Sequence, residues 1–500
     1  MAKTVSAPAR PVAGRAPATA ALLRKYSQVY PVGSAASRYP SILAARRQAH
    51  LDALDSFAVF AGVPREPGSE NIWIMNGLRI FQEPALIHLT GINQPKVIVV
   101  LIPKVRSAAA KEILFISEKD PSKEFWDGIR FGYPKHDTAE ARKDLEELRL
   151  LTGIKDIRPI DDFDDFYVEL VKKSAKPYGY TLYHSYRPAA GDEKRQGKIL
   201  ETKTDHNWAF KERLEKLVKQ SGRKGFDVRT WVDRHFDLRL PLDSSQIKDT
   251  GIAVHFTGEA FQETLARLGS FTNENELAAY LEGRMKARSA FGLSFPSIVA
   301  GGRNATVLHY LKNDEPLDGN TLVLIDFGVR YGTMHADITR TVPVNGKYNP
   351  LQALLYQIVL DAEKLTISSA RPGETIRNLN LKVWTFLETQ LQERFFSKGG
   401  KAIRAYEGQP HGLSHLMGEQ EHDGDPHRVY QDYPLREGWQ ISNEPGLYGH
   451  FAITLGGKRY SEWIGIRIED DLLITKNGCR NLSEEIPKEI HEIEALIGRS

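Results

Sequence analysis

Cysteine is nearly absent. Cys479 is the one thiol in 500 residues, so no disulfide can form within the chain. That usage fits a reducing compartment, and Cys479, with no base beside it in the sequence, reads as an inert thiol. Long apolar runs are missing too, none approaching the roughly 20 residues that span a bilayer. Net charge is only +3 at pH 7, so neither nucleic acid nor a membrane surface is implied as a partner. The first 38 residues hold no acid, although they carry Lys3, Arg10, Arg15, Arg24 and Lys25. They also lack the apolar core of a signal peptide. Pro8, Pro11 and Pro17 interrupt any amphipathic helix, so residues 1–38 are expected to form a disordered basic tail. Cytoplasmic location is the expectation, with the mitochondrial matrix as the alternative if that acid-free tail is a transit peptide.

What is present is an ordinary globular composition, 41% hydrophobic and 26% charged, in a chain long enough for two or three domains. Ile42–Leu54 has helical spacing, and β-branched runs follow at 57–60, 72–75, 97–102 and 112–116. With a helical stretch at 138–151 they predict an α/β domain over residues 39–186. Residues 187–237 are charge-rich and read as a connecting segment, helix-like over 208–219. A second domain is expected over residues 238–500. Ser244-Ser245 can cap one helix there, and Asn273 with Glu276 forms the capping box of another. Strands are expected at 295–300 and 306–310, then helices at 350–368 and 375–396 and more strands. Two helices then strands, twice over, is the pattern of an internal duplication.

Chemistry gathers in this second half. An apolar run ends at Asp326, and Asp337 opens an Ile-Thr-Arg-Thr strand. With a two-residue turn at Tyr331-Gly332, Asp326 would lie directly opposite Asp337, a repulsive placement that calls for a cation or a shared proton. His411 and His415 are four apart and project together, with His422 following. Glu444 ends a strand before Pro445-Gly446. Arg467 stands two residues from Glu469, where it can orient that carboxylate. His309 lies in an apolar stretch. Four carboxylates with one or more imidazoles make a hard, oxygen-rich set whose charge balances two divalent cations, Mn²⁺ above all, with Zn²⁺, Co²⁺ or Fe²⁺ as alternatives.

Asp326, Asp337, His415, Glu444 and Glu469, in that order and spacing, resemble the five metal ligands of the pita-bread metallopeptidases. The motifs His-Gly-Leu-Ser-His, Asn-Glu-Pro-Gly-Leu-Tyr and Gly-Ile-Arg-Ile-Glu-Asp-Asp resemble those of the Xaa-Pro aminopeptidases. The resemblance implies a small α/β N-terminal domain and a C-terminal pita-bread catalytic domain with internal pseudo-duplication. It implies a dinuclear aminopeptidase that cleaves before a proline at position two with a metal-bridging hydroxide. Asp326 and Asp337 would hold one metal, His415 and Glu444 the other, with Asp337 and Glu469 bridging. His309 and His422 match substrate-side histidines, with His411 beside them as a further catalytic candidate, Arg467 the arginine beside the ligands, and Glu444 a proton shuttle. Peptides with proline second would be the partners, and a homo-dimer or homo-tetramer the assembly. The alternatives are a prolidase restricted to Xaa-Pro dipeptides and a non-catalytic pita-bread binding module. Glycines at 446, 449, 456 and 457 suggest an open loop around 450–459 that admits longer peptides.

Overall fold

The computed structural model describes residues 16–65, 81–104, 109–183, 206–424 and 429–497. The chain divides into two compact units, Met1–Arg239 and Leu240–Ser500.

The first unit is built on a mixed six-stranded sheet. Its strands are β1 (Ala58–Ala61), β2 (Val97–Ile102), β3 (Lys111–Ile116), β4 (Asp156–Pro159), β5 (Tyr178–Thr181) and β6 (Asp227–Thr230), in the order β4-β3-β2-β1-β5-β6. The β1–β2 and β2–β3 pairs are antiparallel, and the outer pairs are parallel. The expected strand at 72–75 lies outside the described residues. Two expectations are corrected. Residues 206–237 do not merely connect: His206–Ser221 is a helix that buries Phe210, Leu214 and Leu217 against Phe163, Phe226 and Val228. Its apolar stripe recurs every three to four residues, but charge at the intervening positions masks it in a composition count. Nor is the whole of 1–38 a loose tail. Ala16–Lys25 is a helix, and Tyr26, Val29 and Tyr30 behind it are buried. Pro17 stands in the first helical turn, where no backbone donor is needed. The Tyr30 hydroxyl donates to the Leu151 carbonyl at 2.6 Å, and Lys25 pairs with Glu147 at 2.5 Å.

In the second unit, helix Ser244–Ala266 starts from a capping box made by Asp243 and Gln246 rather than by the serines. Helix Glu274–Arg288 is capped by Asn273. Then come β7 (Ile298–Gly301), β8 (Leu322–Phe327), β9 (Arg330–Tyr331), β10 (Met334–His335) and β11 (Ile338–Pro343). Helices Pro350–Ser369 and Ile376–Arg394 follow, and after them β12 (Lys401–Arg404), β13 (Leu416–Met417), β14 (Gln440–Asn443), β15 (Gly446–Leu455), β16 (Lys458–Arg467), β17 (Asp470–Ile474) and β18 (Cys479–Asn481). The sheets run β11-β8-β7, β12-β15-β16 and β13-β14-β17-β18. Two helices followed by strands thus occur twice.

Three local readings change. The expected strand at 306–310 does not form: a 3-10 turn covers residues 302–306, and His309 is exposed in the turn that follows. Gly302, at φ +52°, adopts a left-handed conformation that a strand does not contain. The expected open loop at 450–459 is a long β15–β16 hairpin closed by Gly456-Gly457. In the organising hairpin the turn is Gly332-Thr333, because Tyr331 pairs with Met334. Gly332 has φ +61°, as the first central position of a II′ turn requires. Asp326 therefore lies opposite Thr339 rather than Asp337. Moving the turn by one residue shifts the pairing by two, so both carboxylates keep the same face as diagonal neighbours. Among the described residues no helix is long and apolar enough to cross a membrane.

Candidate metal centre

Strand ends bring the carboxylates together. Asp326 lies near the end of β8, and Asp337 immediately precedes β11. Between them the strands approach so closely that a Cβ at Gly328 would lie 1.9 Å from the Ala336 carbonyl oxygen. Only glycine fits there. Asn443 pairs with Asp470, which sets Glu444 and Glu469 across from each other just beyond the β14–β17 ladder. The Ser442 N–H donates to the His415 carbonyl at 3.0 Å, so His415 flanks Glu444 on the neighbouring strand. The two halves of the site are joined by the Glu469 N–H, which donates to the Thr339 carbonyl at 3.0 Å.

Asp326, Asp337 and Glu469 each offer an oxygen within 4.8 Å of the others, and His415, Glu444 and Glu469 form a second such set. His415 Nε2 stands 3.5 Å from Asp337 Oδ2 and 3.8 Å from Glu444 Oε1. Its Nδ1 lies 3.1 Å from the Leu416 carbonyl, an arrangement in which Nδ1–H donates and the Nε2 lone pair faces the carboxylates. Burial and the Asp326 charge push Asp337 well above the ordinary carboxylate range. Burial and the Asp337 charge do the same to Glu469. Glu444 is pushed up to about 7, first by burial and then by Asp337 and Asp326 against the relief from His415 and Arg467. Asp326 Oδ1 is buried with no hydrogen-bond partner. An orphaned anionic oxygen among mutually repelling carboxylates is what bound cations relieve, so the residues fit divalent metal.

Behind the ligands runs a hydrogen-bonded chain. Arg467 Nη2 pairs with Asp326 Oδ2 at 2.5 Å, and its Nε donates to Thr339 Oγ1 at 3.0 Å. Thr339 in turn donates to Glu469 Oε2 at 2.6 Å. On the other side Arg467 Nη1 donates to the Tyr448 hydroxyl at 3.3 Å, and that hydroxyl lies 2.8 Å from His411 Nε2. His411 Nδ1 is 2.8 Å from the Gly412 carbonyl, so Nε2 accepts from Tyr448. Burial and the nearby Arg467 push His411 down to about 3, which keeps it neutral at pH 7. A second network lies deeper. Arg340, fully buried, pairs with Asp470 at 2.7 Å and donates to the carbonyls of Glu469 (2.6 Å), Ile486 (3.0 Å) and Pro487 (3.0 Å). Lys488 pairs with Asp470 and, at 2.9 Å, with Glu363, whose carboxylate also accepts from Asn443 Nδ2 at 3.2 Å.

A cavity of about 240 Å³ opens onto this centre. It is lined by the five candidate ligands, by His309, His411, His422 and Arg467, and by Glu421. The His422 ring stacks on His415 with centroids 3.9 Å apart. Every residue singled out in the sequence for this chemistry therefore borders one cavity. Thr339, Tyr448 and Glu421 were not singled out. Thr339 had a signal, since it lies two residues from Asp337 on one strand face. Tyr448 stands inside the Asn-Glu-Pro-Gly-Leu-Tyr motif, and nothing in the sequence marks Glu421.

Comparison with known proteins agrees with this geometry. Residues 250–476 match metallopeptidase family M24, and residues 43–178 match the aminopeptidase P N-terminal domain. The chain is 30% identical over 430 residues to Xaa-Pro aminopeptidase 3 of Rattus norvegicus, covering 84% of this chain and 77% of that protein. It belongs to the Xaa-Pro aminopeptidase family. The Haemophilus influenzae Xaa-Pro aminopeptidase is 28% identical over 423 residues, covering 83% of this chain and 88% of its own length. Proline aminopeptidase P II from Yersinia pestis superposes with a TM-score of 0.69 at 26% identity, over 92% of this chain and 100% of that one. The fold is thus the α/β N-terminal domain and pita-bread domain of the Xaa-Pro aminopeptidases. The protein is a metal-dependent aminopeptidase, a hydrolase that uses divalent metal ions.

Proposed function

We propose that this member of the family removes the N-terminal residue from peptides whose second residue is proline, using two divalent cations. One observation carries the reading: two overlapping ligand sets share Glu469 beside a cavity walled by histidines and Arg467. Asp326, Asp337 and Glu469 would hold one cation, and His415, Glu444 and Glu469 the other, with Asp337 close enough to His415 to serve both. Such a pair, Mn²⁺ by the hardness of the donors, would lower the pKa of a shared water enough to supply hydroxide near neutral pH.

The chain's own residues do the rest. Arg467 and Thr339 hold Asp326 and Glu469 in fixed rotamers. Phe295, Pro296 and Leu308 line the cavity with apolar surface that excludes bulk water. His309 and His422 present ring N–H groups that can take up charge developing on the carbonyl oxygen before proline. Hydrolysis places OH on that carbonyl carbon and a proton on the departing proline nitrogen, which as a tertiary amide carries none. Glu444, which borders the cavity, can accept a proton and pass it to that nitrogen.

The test is an assay of purified protein on Xaa-Pro-Yaa and Xaa-Pro substrates, with and without Mn²⁺, for wild type and for His415→Ala and Glu444→Ala. Tripeptide cleavage that needs metal and falls by at least about 10³-fold in both folded variants is expected. Cleavage confined to dipeptides would replace this reading with prolidase. Normal turnover by either variant at saturating metal would remove that residue from the site.

A further inference from the structure

We propose that Glu274 is a positioning residue that holds His309 at the metal cavity, a role whose use in turnover rests on the aminopeptidase reading above. His309 borders the cavity from a long excursion between β7 and β8, not from a strand. A long surface loop makes few ladder hydrogen bonds of its own, so something must fix where a functional side chain on it lies. Packing does little of this beside the histidine. Val307 and Leu311 are 54% and 56% exposed, and His309 itself is exposed.

Glu274 supplies the restraint from beneath. It is the first residue of helix Glu274–Arg288 and is fully buried. Its Oε1 accepts from the Gly301 N–H at 2.7 Å and from Asn304 Nδ2 at 2.9 Å. Its Oε2 accepts from the Tyr310 hydroxyl at 2.9 Å and from the Glu315 N–H at 3.0 Å. Two of these contacts precede His309 in the chain and two follow it, so one carboxylate ties both arms of the excursion to the helix. Asn304 Nδ2 also reaches the Tyr310 hydroxyl at 3.0 Å, which links the arms to each other. The Tyr310 ring packs with Ile298, Ala300 and Leu324, and the next residue back along the chain is His309. Among the described residues Glu274 does not itself border the cavity, so its influence on the reaction passes through the segment it holds. Each of its oxygens faces one backbone N–H. A glutamine there would set N–H against N–H whichever way its amide turned.

The experiment is a double-mutant cycle in metal-loaded protein: wild type, Glu274→Gln, His309→Ala and the two combined. Xaa-Pro-Yaa hydrolysis, metal content and amide hydrogen exchange across residues 302–311 are measured for each. Glu274→Gln is expected to lower kcat about 10- to 100-fold, the scale of a catalytic group misplaced by about 1 Å. KM and metal content should change little, and exchange across 302–311 should quicken. In the His309→Ala background the same substitution should lower kcat by less than about 2-fold. A general loosening of the fold would lower kcat equally in both backgrounds. That result overturns the assignment, as does loss of metal, unchanged exchange, or a Glu274→Gln kcat within about 2-fold of wild type. If Glu274→Gln does not fold, Tyr310→Phe removes one of the four bonds, keeps the ring and carries the same cycle. Its kcat should fall about 3- to 10-fold with His309 present and not without it, and an equal fall in both overturns the assignment. Exchange needs no turnover. Wild type that cleaves no Xaa-Pro-Yaa, while exchange still quickens in Glu274→Gln, removes the activity reading and leaves the restraint standing.

Discussion

Single side chains carry a pH signature that separates a metal centre from an ordinary acidic cleft. Burial raises Glu444 to about 7 in the metal-free protein, so its folded pKa lies above its unfolded value near 4.5. The protonated form is favoured by folding. That stability is fully present below pH 4.5 and is lost as pH rises through 7. Asp337 and Glu469 are raised for the same reason and act in the same direction. Chelated protein is therefore expected to melt at higher temperature at pH 5 than at pH 8, the stability difference being a few kcal/mol at most. Divalent metal, which competes with protons for these oxygens, should stabilise more at pH 8 than at pH 5. Equal melting of the chelated protein at both pH values would show that these carboxylates do not repel one another in the fold. At this scale the sequence was informative where residue type is diagnostic: Asp326, Asp337, His415, Glu444 and Glu469 are acids and an imidazole at the ends of apolar strands. Thr339, Tyr448 and Glu421 were harder to see because threonine, tyrosine and an exposed-looking glutamate are common anywhere. The roles of Thr339 and Tyr448 come from what they touch.

Among elements, the decisive parts are the ones that set spacing. The hairpin turn fell one residue later than its glycine alone suggested, since Gly332 could occupy either central position. The pairing changed, yet the faces did not, so Asp326 and Asp337 still reach one site, while the full ligand set came from the family resemblance. The packing of the charged helix His206–Ser221, read as helix-like but as part of a connecting segment, and the helix at Ala16–Lys25 were missed for another reason. Their apolar stripes gain meaning only against a sheet that composition cannot display. Beneath the ligand strands, Lys488 is the cation shared by Glu363 and Asp470, both fully buried. Burial with the Asp470 charge raises Glu363 to about 8, while Lys488 counters it. Replacing the lysine takes the cation from Glu363 and leaves Asp470 with Arg340 alone, a loss of up to about 3–5 kcal/mol. Lys488→Met is thus expected to lower the melting temperature of the second unit by on the order of 10 °C. Lys488→Arg should retain most of it. A Lys488→Met protein melting within about 1 °C of wild type would mean that this network contributes nothing.

The molecule taken whole has two units, and all the candidate ligands belong to the second, Leu240–Ser500. Metal binding should therefore move only the unfolding transition of that unit. At free Mn²⁺ a hundred times its dissociation constant, the stabilisation is about 2.7 kcal/mol, a shift of several degrees. Scanning calorimetry of wild type with chelator and with Mn²⁺ checks it, and superimposable traces would remove metal from the folded state. The same unit closes on itself late in the chain. Arg340, which fixes the backbone of Glu469, is held in place by the carbonyl of Ile486, 146 residues further on. A ribosome adding about 5–20 residues per second needs roughly 7–30 s to cover that distance. Through that interval Arg340 has emerged without the segment that cradles it, and Glu469, whose backbone it fixes, is made only near the end. The first unit, complete at Arg239, can fold while the second waits. Assembly of the site thus waits for residues 486 and 487 to emerge, so a nascent chain that has not reached them is a peptidase that cannot yet trim its neighbours.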